Sequence, residues 1–441
     1  MEKLGLACPF FFRSGKPQGS NRGILQLNYD CYLKIFSYLT TLEDLLNLGR
    51  AHPLLCDVLG HVLRMRYKKI NVRMLKTISD WEFLLGLCGS EVFRCELPHG
   101  HWDDGFTYPF LKLLGRLCPN LRQVVVIFMH TVTPLHTTED VPSSVMPLLL
   151  ELPGLTNLTL IDAKASHLEQ LQHFSKLQAL DLDGIDKSLS ISAFETMFHN
   201  KDQLRSLLVN FGQGFRQSFL LHLVEKKCPR LNHITLENFD SRIRDLGTFR
   251  NLQSLHLIFS WRIVEMNTDF YRSLVKHYAG RLQRLKLKSI RVRVDQVHYF
   301  RSLNGLKSFD CDEYPIQSLD ELGHLTSLEC LALDCLEPYP NGIRQLLDIL
   351  KKCSNLKHLK LGVTWRMAIE DCERLVGSYG NTCEDPKRNL LLSLTFIENE
   401  DVQEKLMNLV RDSEVLRLSF KETTCHHCQR DTHSKCDTIF T

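Results

Sequence analysis

The residues best suited to coordination chemistry lie at the end of the chain. Cys425, Cys428, His433 and Cys436 follow the spacing Cys-x2-Cys-x4-His-x2-Cys. Three thiols and one imidazole form the soft donor set of a tetrahedral structural zinc. The competing reading is a flexible, reduced tail over 421–441. No other motif spells out a reaction. The sequence has no glycine-rich phosphate loop, no His-Glu-x-x-His and no Gly-x-Ser-x-Gly. Its 19 histidines and 51 acidic residues are scattered along the chain. The chain is therefore expected not to be an enzyme, and to hold no cofactor apart from that zinc.

The bulk of the chain must position whatever it binds. Of its 441 residues, 44% are hydrophobic and 24% charged, and the formal net charge is +3. That balance describes a folded globular protein and excludes an acidic disordered chain or a basic nucleic-acid coat. The longest apolar run, Val124 to Met129, falls far short of the roughly 18 residues that a membrane helix needs. Leu4 to Phe12 is short for a signal segment, Pro9 interrupts it, and no small-x-small cleavage site follows. Residues 1–22 are expected to form a disordered arm, and the chain to reside in the cytoplasm, the nucleus or both. Its 16 cysteines are then mostly reduced. Cys118, Cys228 and Cys353 each stand three residues before a leucine, at the end of a helix-like run. A small buried thiol suits the place where a helix closes onto a sheet.

One pattern recurs, Leu-x-x-Leu-x-Leu. It occurs at Leu155/Leu158/Leu160, Leu177/Leu180/Leu182, Leu231/Ile234/Leu236, Leu252/Leu255/Leu257, Leu282/Leu285/Leu287, Leu328/Leu331/Leu333 and Leu356/Leu359/Leu361. With looser copies it runs from Leu121 to Leu391, ten steps over 270 residues, or 27 per step. The Leu-x-Leu core alternates with period two, so it reads as a short strand with one buried face. Helical spacing fills the intervals, as at Ile343-x-x-Leu346-Leu347-x-Ile349-Leu350. This resembles the leucine-rich repeat. The resemblance implies an α/β solenoid over 121–420, with a curved parallel sheet inside and helices outside. The asparagine usual three residues past the last core leucine is mostly absent; Ala163, Ile185, Gly212, Phe239 and Ile290 stand there. Residues 63–120 are expected to be a linker and irregular early repeats, with strands near 69–72 and 92–97. Thr131 to Ser144 reads as an inserted loop.

Residues 24–58 hold more apolar surface than a helical unit of that size can bury alone. They must dock on the adjacent repeats or on a partner. Ile35-Phe36-Ser37-Tyr38-Leu39 and Asp44-Leu45-Leu46-Asn47-Leu48 resemble the centre and second helix of an F-box, with Leu27 at its first leucine and Asp30 at its acid. Asn28 stands where the pattern has proline, and Ala51-His52-Pro53 where it has Val-Cys-Arg. The resemblance implies a small all-α module at 23–62 that docks on the Skp-type adaptor of a cullin–RING ubiquitin ligase core. It would do so through Leu27, Asn28, Ile35, Phe36, Leu39, Leu45 and Leu48. The chain would then be the substrate-recognition adaptor of an SCF-type ligase, whose repeats hold an unidentified target protein. The alternative is a non-ligase repeat scaffold in which the same helices only cap the solenoid. The tail also resembles a zinc knuckle, although its last spacing is shorter and the knuckle glycine is missing.

The side chains that flank the inward core positions point to the concave face. They include Asp181, Asp183, Glu237, His256, Arg284, Lys286, Lys288, Asp310, Asp312 and Lys360. Both signs occur in patches, whereas a nucleic-acid groove would show one basic stripe. A protein target is expected, with no nucleic acid and no membrane. Lys286 and Lys288 are expected beside Asp310 and Asp312, each cross-strand pair contributing roughly 0.2–1 kcal/mol.

Overall fold

The structure is a computed structural model. It describes residues 24–98, 104–128, 145–185, 189–211, 220–334, 342–362, 365, 369–382, 389–395, 397–411, 413 and 415–420. The N-terminal arm, the loop at 131–144 and the four Cys/His residues of the tail lie outside these residues.

Every second residue of each Leu-x-Leu core is buried, and the strands that result lie side by side. They are β1 (Lys69–Asn71), β2 (Arg94–Leu97), β3 (Gln123–Ile127), β4 (Asn157–Ile161), β5 (Ala179–Asp183), β6 (Ser206–Asn210), β7 (His233–Glu237) and β8 (Ser254–Ile258). Then come β9 (Val264–Glu265), β10 (Arg284–Arg291), β11 (Ser308–Glu313), β12 (Cys330–Leu333), β13 (His358–Leu361), β14 (Leu390–Leu394) and β15 (Leu416–Ser419). All pairings are parallel and follow chain order, except that β8 pairs with β10 and the short β9 adds to the far end of β10. Core leucines align in rows through the stack, as in Leu180, Leu207, Ile234, Leu255 and Leu285. The chain is an α/β leucine-rich-repeat solenoid with an N-terminal helical unit.

Repeat length varies, and the outer layer varies with it. The step from Leu231 to Leu252 is 21 residues, and no helix separates β7 from β8. The steps Leu282 to Leu306 and Leu306 to Leu328, 24 and 22 residues, hold only 3-10 helices, Val294–Ser302 and Ile316–His324. The steps Leu252 to Leu282 and Leu328 to Leu356, 30 and 28 residues, hold α-helices Thr268–Tyr278 and Gly342–Lys352. A 3-10 helix rises about 2.0 Å per residue against 1.5 Å, so it returns the chain with fewer residues.

The strand ends share a turn. Asp162, Gly184, Asn238 and Ser289 all have positive φ, between 52° and 71°. Each stands two residues past the last core leucine, where only glycine or a short polar residue adopts this backbone readily. From these ends side chains reach across repeats: Asn238 Nδ2 donates to Asn210 Oδ1 at 2.9 Å and Asn210 Nδ2 to Asp183 Oδ1 at 2.6 Å. The residues at the usual asparagine position are instead buried, as Ala163, Ile185, Phe239 and Ile290. The polar ladder has moved one or two residues earlier, and core packing takes its place.

The turn entering each strand is repeated as well. The N–H groups of Leu121, Leu204, Leu231 and Leu356 donate to the carbonyls of Cys118, Lys201, Cys228 and Cys353, three residues back, at 3.0–3.1 Å. Burial pushes the Cys118 and Cys228 thiols up to about 12, so they remain neutral. Cys353 Sγ donates to the carbonyls of Leu322 and Leu325 in the preceding repeat. Lys201 occupies the same position and is 0% exposed. Its Nζ donates to Leu171 O at 2.6 Å and His199 O at 3.0 Å. Burial brings its pKa down to about 8 from the ordinary 10.5.

Between about pH 8 and 10.5 the unfolded chain binds this proton and the fold does not. The contribution of Lys201 to stability therefore rises with pH across that window, and its penalty is complete below it. Lys201→Met removes the titration. Measured by urea denaturation at pH 7 and pH 10.5, the wild type should gain ~3 kcal/mol on the variant as pH rises. A stability difference independent of pH would show that Lys201 remains charged in the fold.

Candidate functional site

Two surfaces were expected to meet partners, the N-terminal helices and the open face of the sheet. The helices are α1 (Tyr29–Tyr38), α2 (Leu42–Ala51) and α3 (Pro53–Arg66). The residues that depart from the F-box pattern are their caps. Asn28 Oδ1 accepts from Cys31 N at 2.9 Å, and His52 Nδ1 accepts from Leu54 N at 3.1 Å with Pro53 opening α3. Thr41 caps α2 by accepting from Asp44 N.

Within the unit Tyr32, Phe36, Leu45, Leu46, Leu55, Val58 and Leu59 are buried. Two expected adaptor contacts thus change role: Phe36 and Leu45 are each 0% exposed and form the core of the unit itself. Tyr32 and Phe36 lie one turn apart on α1, so they share the face that turns inward. Ile35, Leu39 and Leu48 are partly buried on its shoulders, while Leu27 and Asn28 are exposed. Ile24, Leu25, Leu27, Tyr29, Tyr38, Leu54 and Met65 are all exposed, Tyr38 at 70%. The other side of the unit is sealed on α4 (Ile78–Cys88). Arg50 pairs with Asp80 at 2.5 Å and lies over the Phe83 ring, and Arg64 donates to Leu87 O. The apolar core is continuous from Tyr32 into the repeats.

On the open face, strand register brings distant residues into one row. Asp181, Leu208, Thr235, His256, Lys286, Asp310, Ala332 and Lys360 are successive partners across β5 to β13. Arg284 lies in the neighbouring row, beside Ser254 and Ser308. Lys288 sits between Asp310, at 3.0 Å, and Asp312, at 2.5 Å, and Lys286 lies 3.8 Å from Asp310. Burial alone would lower the Lys288 ammonium; Asp310 and then Asp312 outweigh it and raise its pKa, so it stays charged. His256 packs edge-on against His233 at 4.7 Å between ring centroids. Burial, then His233, Lys286 and Arg284, hold its imidazole well below the usual histidine range. Asp183 is engaged by Asn210.

Glu237 departs from its expected place on an accessible surface. It is 2% exposed, and all five residues of β7 are buried. Paired strands flank β7 on both sides, and the chain turns sharply at Asn238 immediately after it. The exposed side chains of 24–65 and of the loop at 261–263 are the features that leucine periodicity overlooks, because they lie outside the repeating pattern. Among the described residues, no group of three or more His, Cys, Asp or Glu could hold a metal ion. Among them also, no helix is long and apolar enough to cross a membrane.

No protein-family model matches the chain, and no curated protein matches its sequence. Among solved structures it is similar to an internalin from Listeria monocytogenes at 16% identity and a TM-score of 0.39, over 70% of this chain and 82% of that one. The Rad7–Elc1 complex from yeast aligns at 10% identity and a TM-score of 0.39, over 83% and 88% of the two chains. The leucine-rich repeat-containing protein LegL7 from Legionella pneumophila aligns at 15% identity and 0.34, over 74% and 92%. The assignment of the repeat fold rests on leucine spacing and strand register in this chain.

The split between core and surface in α1 is directly testable. Phe36→Asp places a charge in the core of the unit and should cost more than about 3 kcal/mol. Limited proteolysis should then cut within 24–66. Tyr38→Asp, on the exposed face, should leave the cleavage pattern unchanged. Equal protection of both variants would contradict the placement of Phe36.

Proposed function

We propose that this chain is the substrate-recognition subunit of an SCF-type ubiquitin ligase. The supporting observation is the apolar surface that the N-terminal helices leave open. A helix pair that only capped the solenoid would turn a polar face outward. Here one side of the unit closes the first repeats through α3 and α4, while Ile24, Leu25, Leu27, Tyr29 and Tyr38 remain exposed on the chain leading into α1 and along it. Clustered exposed apolar side chains mark a protein-binding site. In this reading the exposed side chains take the Skp-type adaptor, as the F-box-like spacing of the same segment suggests, and Phe36 and Leu45 shape the face from behind. The repeats then hold the target near the ubiquitin donor. Catalysis is by proximity, because tethering raises the effective concentration of target lysines. The ten described cysteines are free thiols, nine of them buried, which suits the cytoplasm or nucleus.

The test is co-purification with a recombinant Skp-type adaptor. Wild type and Tyr108→Asp, which alters an exposed residue outside the unit, should retain the adaptor. Leu27→Asp combined with Tyr29→Asp should reduce retention at least about tenfold, the effect of losing a few hot-spot contacts. No retention by the wild type, or equal retention by the double variant, would overturn the ligase reading.

A further inference from the structure

The chain that leads into four neighbouring strands carries a run of positive charge. Arg205 precedes β6, Lys226, Lys227 and Arg230 precede β7, Arg250 precedes β8, and Lys276 and Arg281 precede β10. Lys226 and Lys227 close the helix Leu220–Lys227, and Lys276 lies in the last turn of Thr268–Tyr278. A cation there offsets the negative end of a helix dipole, which amounts to about half a charge. Seven cations beside two helix ends far exceed that need.

Hydrogen bonds hold these strand entrances side by side. Asn232 N and His233 N donate to Arg205 O, at 2.9 and 3.0 Å. Arg230 Nη1 donates to Gln203 Oε1 at 2.7 Å, Asn251 Nδ2 to Pro229 O at 2.8 Å, and Arg281 Nη1 to Arg250 O at 2.7 Å. Each bond joins one entrance to that of the repeat before it, so Arg230, Arg250 and Arg281 follow one another along a single rim. Six of the seven cations are exposed and Lys227 is half-buried. Among the described residues none of the seven is paired with a carboxylate. Asp202 and Glu225 are the acids on these segments, and Glu225 is already engaged by the Thr248 hydroxyl and lies 3.8 Å from His222. The run stops where acid returns, at Glu329 before β12, which holds Lys307 at 3.7 Å and Lys357 at 2.8 Å.

We propose that this rim binds the phosphate backbone of a nucleic-acid duplex. Four strands at ~4.8 Å spacing make the track roughly 15 Å long on the sheet side, enough for a few successive phosphates. Among the described residues, no large apolar side chain is exposed from 192 to 260 or from 264 to 293. A protein partner takes most of its affinity from such anchors. A single strand needs aromatic rings on which its bases stack. Contacts to a duplex backbone need neither, and they carry no sequence preference. The open face, with its mixed signs, offers no such track, and the expectation of no nucleic acid drew on that face alone. The strand entrances carry one sign instead.

The experiment uses the full chain without adaptor, so its result stands apart from the ligase test. The probes are fluorescein-labelled DNA and RNA duplexes of mixed sequence, oligo-dT and poly-glutamate, followed by anisotropy. Wild type should bind at least one duplex about tenfold or more tighter than oligo-dT or poly-glutamate, and the two duplex arms show which backbone is preferred. Its log K should fall with log salt at a slope of about −3. Arg230→Gln with Arg250→Gln and Arg281→Gln should weaken duplex binding at least about tenfold and flatten that slope by about 2 to 3, with the thermal midpoint unchanged. Arg250→Gln alone should flatten it by about 1. Arg242→Gln with Arg262→Gln and Arg293→Gln removes equal charge at the opposite, strand-exit side and should leave binding unchanged. No binding of either duplex, equal or tighter binding of oligo-dT or poly-glutamate, binding independent of salt, or equal losses in the two triple variants would each overturn the proposal.

Discussion

Most strands of this solenoid begin with two backbone N–H groups donating to one carbonyl of the repeat before. Asn232 and His233 share Arg205 O, Gln253 and Ser254 share Asn232 O, Gln283 and Arg284 share Gln253 O, and Lys307 and Ser308 share Gln283 O. A buried N–H without a partner is costly, so each repeat is held in register by its predecessor. Much else follows from this. Register aligns the leucines into continuous rows, and the same register sets His256 beside Lys286 and Lys286 beside Asp310. The charge pattern of the open face is thus a consequence of backbone pairing. Side chains reinforce it at the strand entrances, where Asn120, Asn251 and Asn355 donate to the carbonyls of Ser90, Pro229 and Thr326 in the preceding repeats.

Because the repeats are joined so regularly on the sheet side, the outer layer is free to vary. The short steps after β7, β10 and β11 return through irregular chain or 3-10 helices, while the longer ones after β8 and β12 return through α-helices. The longer step after β8 also accommodates β9 and the exposed Trp261. A departure from the average length thereby places distinctive side chains on the rim while the sheet continues unbroken. At the N-terminal end the same logic applies. The three helices complete the core through α3, and Ile24, Leu25, Leu27, Tyr29 and Tyr38 are left exposed before and along α1.

Much of this was legible in the residues alone. Period-two burial is written in Leu-x-Leu, and the eleven cores from Leu121 to Leu391 correspond to β3–β8 and β10–β14. The partnership of Lys286 and Lys288 with Asp310 and Asp312 follows from a constant register, since equivalent positions of adjacent parallel strands become neighbours. The helical character of 24–58 was equally plain. Less legible was which of its apolar side chains face out. Phe36 and Tyr38 are both aromatic residues of one helix, yet one is 0% and the other 70% exposed. That outcome depends on how three helices pack together, which local spacing leaves open.

The sequence by itself therefore determined the repeat, the strand positions and the mixed charge of the open face, because these depend on local alternation and constant period. The tertiary structure alone decided that Glu237 is covered, that Lys201 takes a thiol's place in the core, and that Trp261 stands bare between buried anchors. Each of these is set by neighbours 20 to 30 residues away in adjacent repeats, such as Leu171 for Lys201 and Asn238 for the Trp261 loop. Burial is a property of the stack, and no single repeat encodes what its neighbour will cover.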